Sequence, residues 1–174
     1  MPMDELLATT IAKAQITELR NLYARATDAI GRTTPEGIAE GRAIYHRIFT
    51  ADATLGAAGI DPVTGPDAWV DVVEGALEEY DATQHLVGSH VVEVESLPDA
   101  AGNGGKATMT SYLQAWHSTP EHRLYMFIGT YHDTCVSSAQ HGWQIAAMHL
   151  ENTADEVRII SPREGGLSTV GKKA

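Results

Sequence analysis

Two periodicities divide the chain. Between residues 11 and 80 apolar side chains recur at helical spacing, and from Thr83 onward they alternate. Ile11, Ile16, Leu19, Leu22, Tyr23, Ala26 and Ile30 form one stripe, which predicts a helix over 11–30 that Gly31 stops. Thr34-Pro35-Glu36 predicts the start of a second helix, with Thr34 as cap and proline at its first position. Its apolar face is Ile38, Tyr45, Ile48 and Phe49. A short strand is expected near 53–57, then a Gly/Pro loop, then a third helix from Pro66 bearing Trp69, Val73, Leu77 and Tyr80. Strands are expected at 83–96, 106–118, 122–138 and 142–151, with a further segment at 157–161. "PDAAGNGG" (98–105) and "SSAQHG" (137–142) read as hairpin turns, and "STPE" (118–121) as a tighter connection.

Three helices followed by an antiparallel meander is an α+β pattern. A long curved sheet with helices on one face makes a cone around an internal pocket. At 174 residues the chain reads as one domain, 1–174, with its core at about 11–151 and a C-terminal tail at 152–174. A domain of this size buries roughly 70% of its unfolded surface, so it needs no metal or disulfide to hold its core. No internal repeat or low-complexity tract interrupts it.

Composition narrows the function. The one cysteine, Cys135, allows no intramolecular disulfide and no CxxC zinc site. A net charge of −11 argues against binding nucleic-acid phosphates or anionic membrane surfaces. "MPMDELLATT" lacks the apolar core of a secretory signal, and no run of 18 apolar residues occurs. The expectation is a soluble, cytoplasmic protein with neither nucleic acid nor membrane as partner.

The residues that could do chemistry lie mostly on the strands. In 83–96, alternation sets His85, Val87, Ser89 and Val91 on one face and Leu86, Gly88, His90, Val92 and Val94 on the other. Regular pairing therefore sends His85 and His90 to opposite sides. Met109, Leu113 and His117 share a face of the next strand, and Arg123, Tyr125, Phe127, Tyr131 and Asp133 share one of the strand after. Buried polar atoms are costly unless paired, so Tyr131 and Asp133 beside Phe127 suggest a polar-lined cavity. Each histidine alone could be a core imidazole bonded to a backbone carbonyl, yet histidine is also the side chain best suited to proton transfer near neutral pH. Asp28 falls nearly opposite Leu19 on a helical wheel, which would expose it. It also faces the negative end of its helix, a mismatch of at most about 1 kcal/mol. Eight histidines invite a metal, but no HxH or HExxH spacing occurs. "GAAG" (56–59) and "GNGG" (102–105) lack the strand–GxGxxG–helix setting of a nucleotide site, and no cofactor is demanded.

"LYARATDAI" (Leu22–Ile30), "TQHLVGSH" (Thr83–His90), "GTYHD" (Gly129–Asp133) and "GWQIA" (Gly142–Ala146), in this order, resemble the SnoaL-like branch of the NTF2-like superfamily. That branch includes scytalone dehydratase and the hexachlorocyclohexane dehydrochlorinase. The resemblance implies a curved antiparallel sheet around three helices with an apolar pocket between them. It also implies an aspartate of the first helix, five residues after an aromatic, that orients a histidine base. Those places hold Tyr23, Asp28 and His85. His117 matches a second histidine of the dehydratase, and Tyr131 and Asp133 align with its polar pair on the following strand. The chain departs from the pattern at Met148, where many relatives have an arginine five residues after the tryptophan, and in a longer segment 33–50.

Three functions compete at this point. The first is a cofactor-independent lyase acting on a hydrophobic, aromatic or phenolic small molecule, by elimination, dehydration or carbon–carbon cleavage. In it His85 is the base, Asp28 its orienter, and His117, Tyr131 and Asp133 handle substrate oxygens, while Tyr23, Phe127 and Trp69 line the pocket. The second resembles ketosteroid isomerase or a polyketide cyclase, with a carboxylate such as Asp133 as base. The third is a non-catalytic small-ligand binder. Leu86, Val92, Val94, Leu124, Met126, Ile128 and Met148 fall on strand faces opposite the expected pocket, which predicts a homodimer or homotrimer through the outer sheet.

Overall fold

The computed structural model describes residues 2–121 and 123–159. Helix α1 spans Met3–Ile30, eight residues earlier than the apolar stripe suggests. No breaker separates Met3 from the stripe, so the helix continues outward with Leu6, Leu7 and Ile11 exposed. Its buried face carries Ala12, Ile16, Leu19, Tyr23, Ala26 and Ile30, and also Arg20. Helix α2 is Pro35–Ile48, and the Thr34 hydroxyl accepts from the Gly37 N–H at 3.1 Å, the cap its sequence predicts. Helix α3 is Pro66–Leu77 and buries Trp69, Val70, Val73 and Leu77.

Six strands form one sheet in the order β2-β1-β6-β5-β4-β3. They are β1 Phe49–Ala57, β2 Ile60–Thr64, β3 Ala82–Ser96, β4 Lys106–Ser118, β5 Arg123–Ser138 and β6 Gly142–Ile159. The sheet is mixed, because β1 runs parallel to β6 while every other pair is antiparallel. The Gly/Pro stretch expected as a loop instead folds back as β2, pairing Leu55 with Val63 and Thr54 with Thr64. β6 does not stop at 151. It pairs along β5 as far as Arg123↔Ile159, absorbing the first part of the expected 157–161 segment and of the tail; residues 160–174 lie outside the described residues.

Bulges correct the expected faces. In β3, Gly88 pairs with Tyr112 but Val91 with Thr110, so one extra residue sits between them, and Ser89 takes φ 51°. A one-residue slip exchanges faces. Beyond it Val92 is buried in the core and Val91 is exposed, the reverse of strict alternation. Met148, expected outside, is also buried, opposite Asp133. The outer-face set thus loses Val92, Val94 and Met148, and Met126 lines the cavity. Of that set Leu86 stays exposed, and it is joined on the outer face of β3 and β4 by Val91 and Tyr112.

The core lies between the helices and the inner sheet face, with α1 packed across β3. Among the described residues no helix is long and apolar enough to cross a membrane.

Candidate active site

A cavity of about 310 Å³ opens between α1, α3 and the inner faces of β3, β4 and β5. Its wall is mainly apolar, with His85, His117, Thr27, several phenols and, on β6, the carboxylates of Asp155 and Glu156 as the polar exceptions. That volume suits a small ring-bearing molecule.

Asp28 sits in the last turn of α1, where the helix passes the start of β3. One carboxylate oxygen, Oδ1, accepts the His85 backbone N–H at 3.0 Å and the ring Nδ1–H at 2.8 Å. The helical wheel exposes Asp28 to the outside of α1 itself, and the start of β3 covers that side. A carboxylate only accepts, so it fixes the proton on Nδ1 and leaves Nε2 as the basic nitrogen. His85 is 8% exposed at its side chain and lines the cavity.

His117 stands directly across β4 from Thr83 in the strand register. The Thr83 Oγ1 to His117 Nδ1 distance is 2.8 Å, and the two imidazole rings lie 5.5 Å apart, edge to face. Tyr80 stacks on His117 at 4.8 Å and meets Tyr125 edge to face. Burial, and then the neighbouring His85, push the His117 pKa down to about 4. His117 is therefore neutral at pH 7.

Phenols crowd the inner end. Trp69 Nε1–H donates to the Tyr23 hydroxyl at 3.2 Å, and the Tyr45 hydroxyl shares a 2.6 Å bond with Thr27. Tyr131 meets Tyr23 edge to face at 5.5 Å. Burial raises the pKa of Tyr45 and Tyr131 well above the ordinary phenol, so both keep their protons. Tyr131 lines the cavity as a protonated phenol able to donate a hydrogen bond, whereas Tyr45 lies behind the wall, bonded to Thr27.

Asp133 does not reach the cavity wall. It lies behind Tyr131, ion-paired with Arg20 of α1, both side chains fully buried. Its expected contact with substrate is replaced by this pair. Arg20 stacks over the rings of Tyr131 (3.8 Å) and Tyr23 (4.5 Å). Burial alone would lower its pKa, but Asp133 and the tyrosines raise it on balance, and Arg20 stays charged. Burial raises the Asp133 pKa, and Arg20 opposes that rise. At the departure from the family pattern, Met148 Sδ lies 3.5 Å from Arg20 Nη1. A guanidinium does occupy this place, supplied by α1.

The β3 bulge also brings His90 back to the inner side. It is half-buried, and burial and Arg20 lower its pKa. Of the residues named from sequence, His85, Asp28 and His117 form one group, and Tyr23, Trp69, Phe127 and Tyr131 line the same cavity. Sequence reasoning missed Thr83, Tyr80 and Arg20. Thr83 is two residues from His85 and so shares its face, a signal present in the alternation.

The SnoaL-like domain family matches residues 8–149. No curated protein matches the chain. Among solved structures, a Kribbella flavida protein aligns at 22% identity with a TM-score of 0.67, over 85% of this chain and 95% of its own. A Novosphingobium aromaticivorans protein, provisionally named a scytalone dehydratase, aligns at 20% and 0.66 over 90% and 92%. A hexachlorocyclohexane dehydrochlorinase of Novosphingobium barchaimii aligns at 14% and 0.70 over 90% and 99%. At these identities the likeness is one of fold.

Proposed function

We propose, from the premise that this chain belongs to the SnoaL-like family, that it is a cofactor-independent lyase acting on a hydrophobic aromatic or phenolic molecule. One observation carries the reading: the Asp28–His85 pair, its free Nε2 at the wall of an apolar cavity. His85 takes a proton from the substrate, and Asp28 stabilises the imidazolium that forms. His117 and the phenols hold substrate oxygens, one of which leaves or becomes a carbonyl. A positioned base supplies about 10²–10⁴-fold, and orientation by the cavity supplies the rest. The similar folds of a dehydratase-named protein and a dehydrochlorinase, both names of elimination chemistry, support this class.

The isomerase reading needs a carboxylate base in the pocket. Asp133 is held away from the cavity by Arg20, and the two carboxylates at its wall, Asp155 and Glu156, are exposed, with Glu156 paired to Arg158, which weighs against it. A plain binder has no use for a carboxylate–imidazole pair at this depth. We place the enzyme in the cytoplasm as a homodimer or homotrimer.

The test is turnover by purified protein on a panel of phenolic and polycyclic compounds, followed by product mass. Loss of water, release of an aldehyde, and an unchanged mass separate dehydration, carbon–carbon cleavage and isomerisation. Compounds that bind saturably yet are never converted would replace the lyase with a binder.

A further inference from the structure

We propose that Thr83 is a positioning residue that, with its methyl seated over Gly31, holds His117 in the tautomer presenting Nε2–H to the cavity. This deepens the lyase reading and rests on it for its catalytic meaning, though not for its geometry.

The proton count around Thr83 carries the argument. Its hydroxyl lies 2.8 Å from His117 Nδ1 and 3.5 Å from His85 Nδ1. His85 Nδ1 already bears the proton given to Asp28, so it cannot accept one from threonine. Among the described residues the hydroxyl has no further bonding partner, and its proton therefore goes to His117 Nδ1. A neutral imidazole that accepts at Nδ1 must carry its proton at Nε2. The two histidines then face the cavity with opposite properties: His85 with a bare Nε2, His117 with an Nε2–H. One accepts a proton and the other donates a hydrogen bond. His117 keeps this neutral form because its pKa lies near 4.

Gly31 fixes the threonine. Its backbone is helical, φ −63° and ψ −7°, a conformation any residue adopts, so glycine is not needed there for backbone freedom. It is needed for space: a Cβ on Gly31 would fall 2.2 Å from Thr83 Cγ2. The methyl of Thr83 fills that vacancy, and with Cγ2 docked on the end of α1 the hydroxyl is turned toward the imidazoles. The residue that ends α1 also sets a rotamer on β3.

The experiment reads the His117 ring nitrogens of the full chain by long-range ¹H–¹⁵N correlation at pH 7, without substrate, with the signal assigned by loss in His117→Gln. The expected wild-type pattern is protonated Nε2 and unprotonated Nδ1. Thr83→Val keeps the methyl and loses the hydroxyl, and should shift His117 toward the Nδ1–H form. Thr83→Ser should retain the wild-type pattern, and Gly31→Ala should move it as Thr83→Val does. A wild-type Nδ1–H pattern, or a Thr83→Val spectrum identical to wild type, overturns the proposal. Should Thr83→Val not fold, Thr83→Ala and Gly31→Ala give the same comparison. On a converted compound, Thr83→Val should lower kcat roughly tenfold with KM little changed, the worth of one hydrogen bond strengthened in the transition state. Because the spectrum needs no substrate, a wrong tautomer leaves the lyase standing. Turnover surviving in His85→Ala removes the lyase and leaves the spectrum untouched.

Discussion

One oxygen of Asp28 receives two hydrogen bonds from one residue, the backbone N–H and the ring Nδ1–H of His85. The first fixes where β3 begins against α1, and the second fixes the ring. The same carboxylate is thus both a tertiary tie and an electrostatic partner for a protonated imidazole.

That double role separates two substitutions. His85→Ala should lower kcat by about 10²–10⁴, the usual worth of a positioned base. Asp28→Asn keeps an oxygen for the backbone N–H, so the fold should survive, but the amide no longer balances an imidazolium. Its kcat should fall too, and the double variant should be little worse than His85→Ala, because each group acts through the other. Steady-state rates on a converted compound decide this. Additive losses would mean the two residues act independently.

The Arg20–Asp133 pair predicts a stability effect distinct from catalysis. Arg20→Met leaves a buried carboxylate without its partner, which typically costs about 3–5 kcal/mol. Asp133→Asn should cost at least as much, since it leaves a buried guanidinium that cannot shed its charge, whereas a stranded carboxyl can take up a proton. Urea unfolding measures both. An Arg20→Met midpoint equal to wild type would show that Asp133 is already neutral in the fold.

Much of this was legible in the sequence, with particular failures. Helix stripes and strand alternation locate three helices and the four long strands, because most elements bury one face. Alternation failed at Val92 and His90, since one residue at Ser89 with φ 51° changes faces and nothing in the pattern counts it. Arg20 was invisible because a guanidinium inside an apolar stripe looks like a break, whereas Asp133 lies 113 positions away. The wheel misread Asp28 for a related reason: it describes one helix alone, and β3 covers the side it calls exposed. Family resemblance, not periodicity, supplied that pair.

The outer face of β3 and β4 predicts assembly. Leu86, Val91 and Tyr112 are 63%, 58% and 62% exposed, apolar surface that a single copy leaves wet. Light scattering at micromolar concentration should give a dimer or trimer, and Leu86→Lys with Tyr112→Lys should shift it toward monomer. A wild-type monomer would contradict this.

His117 predicts how stability depends on pH. Its folded pKa is about 4, below the ordinary value of 6.5, because burial and His85 disfavour its charge. Between these values the unfolded chain binds a proton that the folded chain refuses, so stability falls as pH drops through the window. The slope from this one group is at most about 1.4 kcal/mol per pH unit. His90, also lowered by burial and Arg20, adds in the same direction. Urea midpoints measured from pH 7 down to pH 4.5 should therefore fall, and fall less steeply in His117→Gln, which cannot protonate. The difference between the two slopes should vanish above about pH 7, where neither state takes the proton. Equal slopes in wild type and variant would mean that His117 titrates normally in the fold.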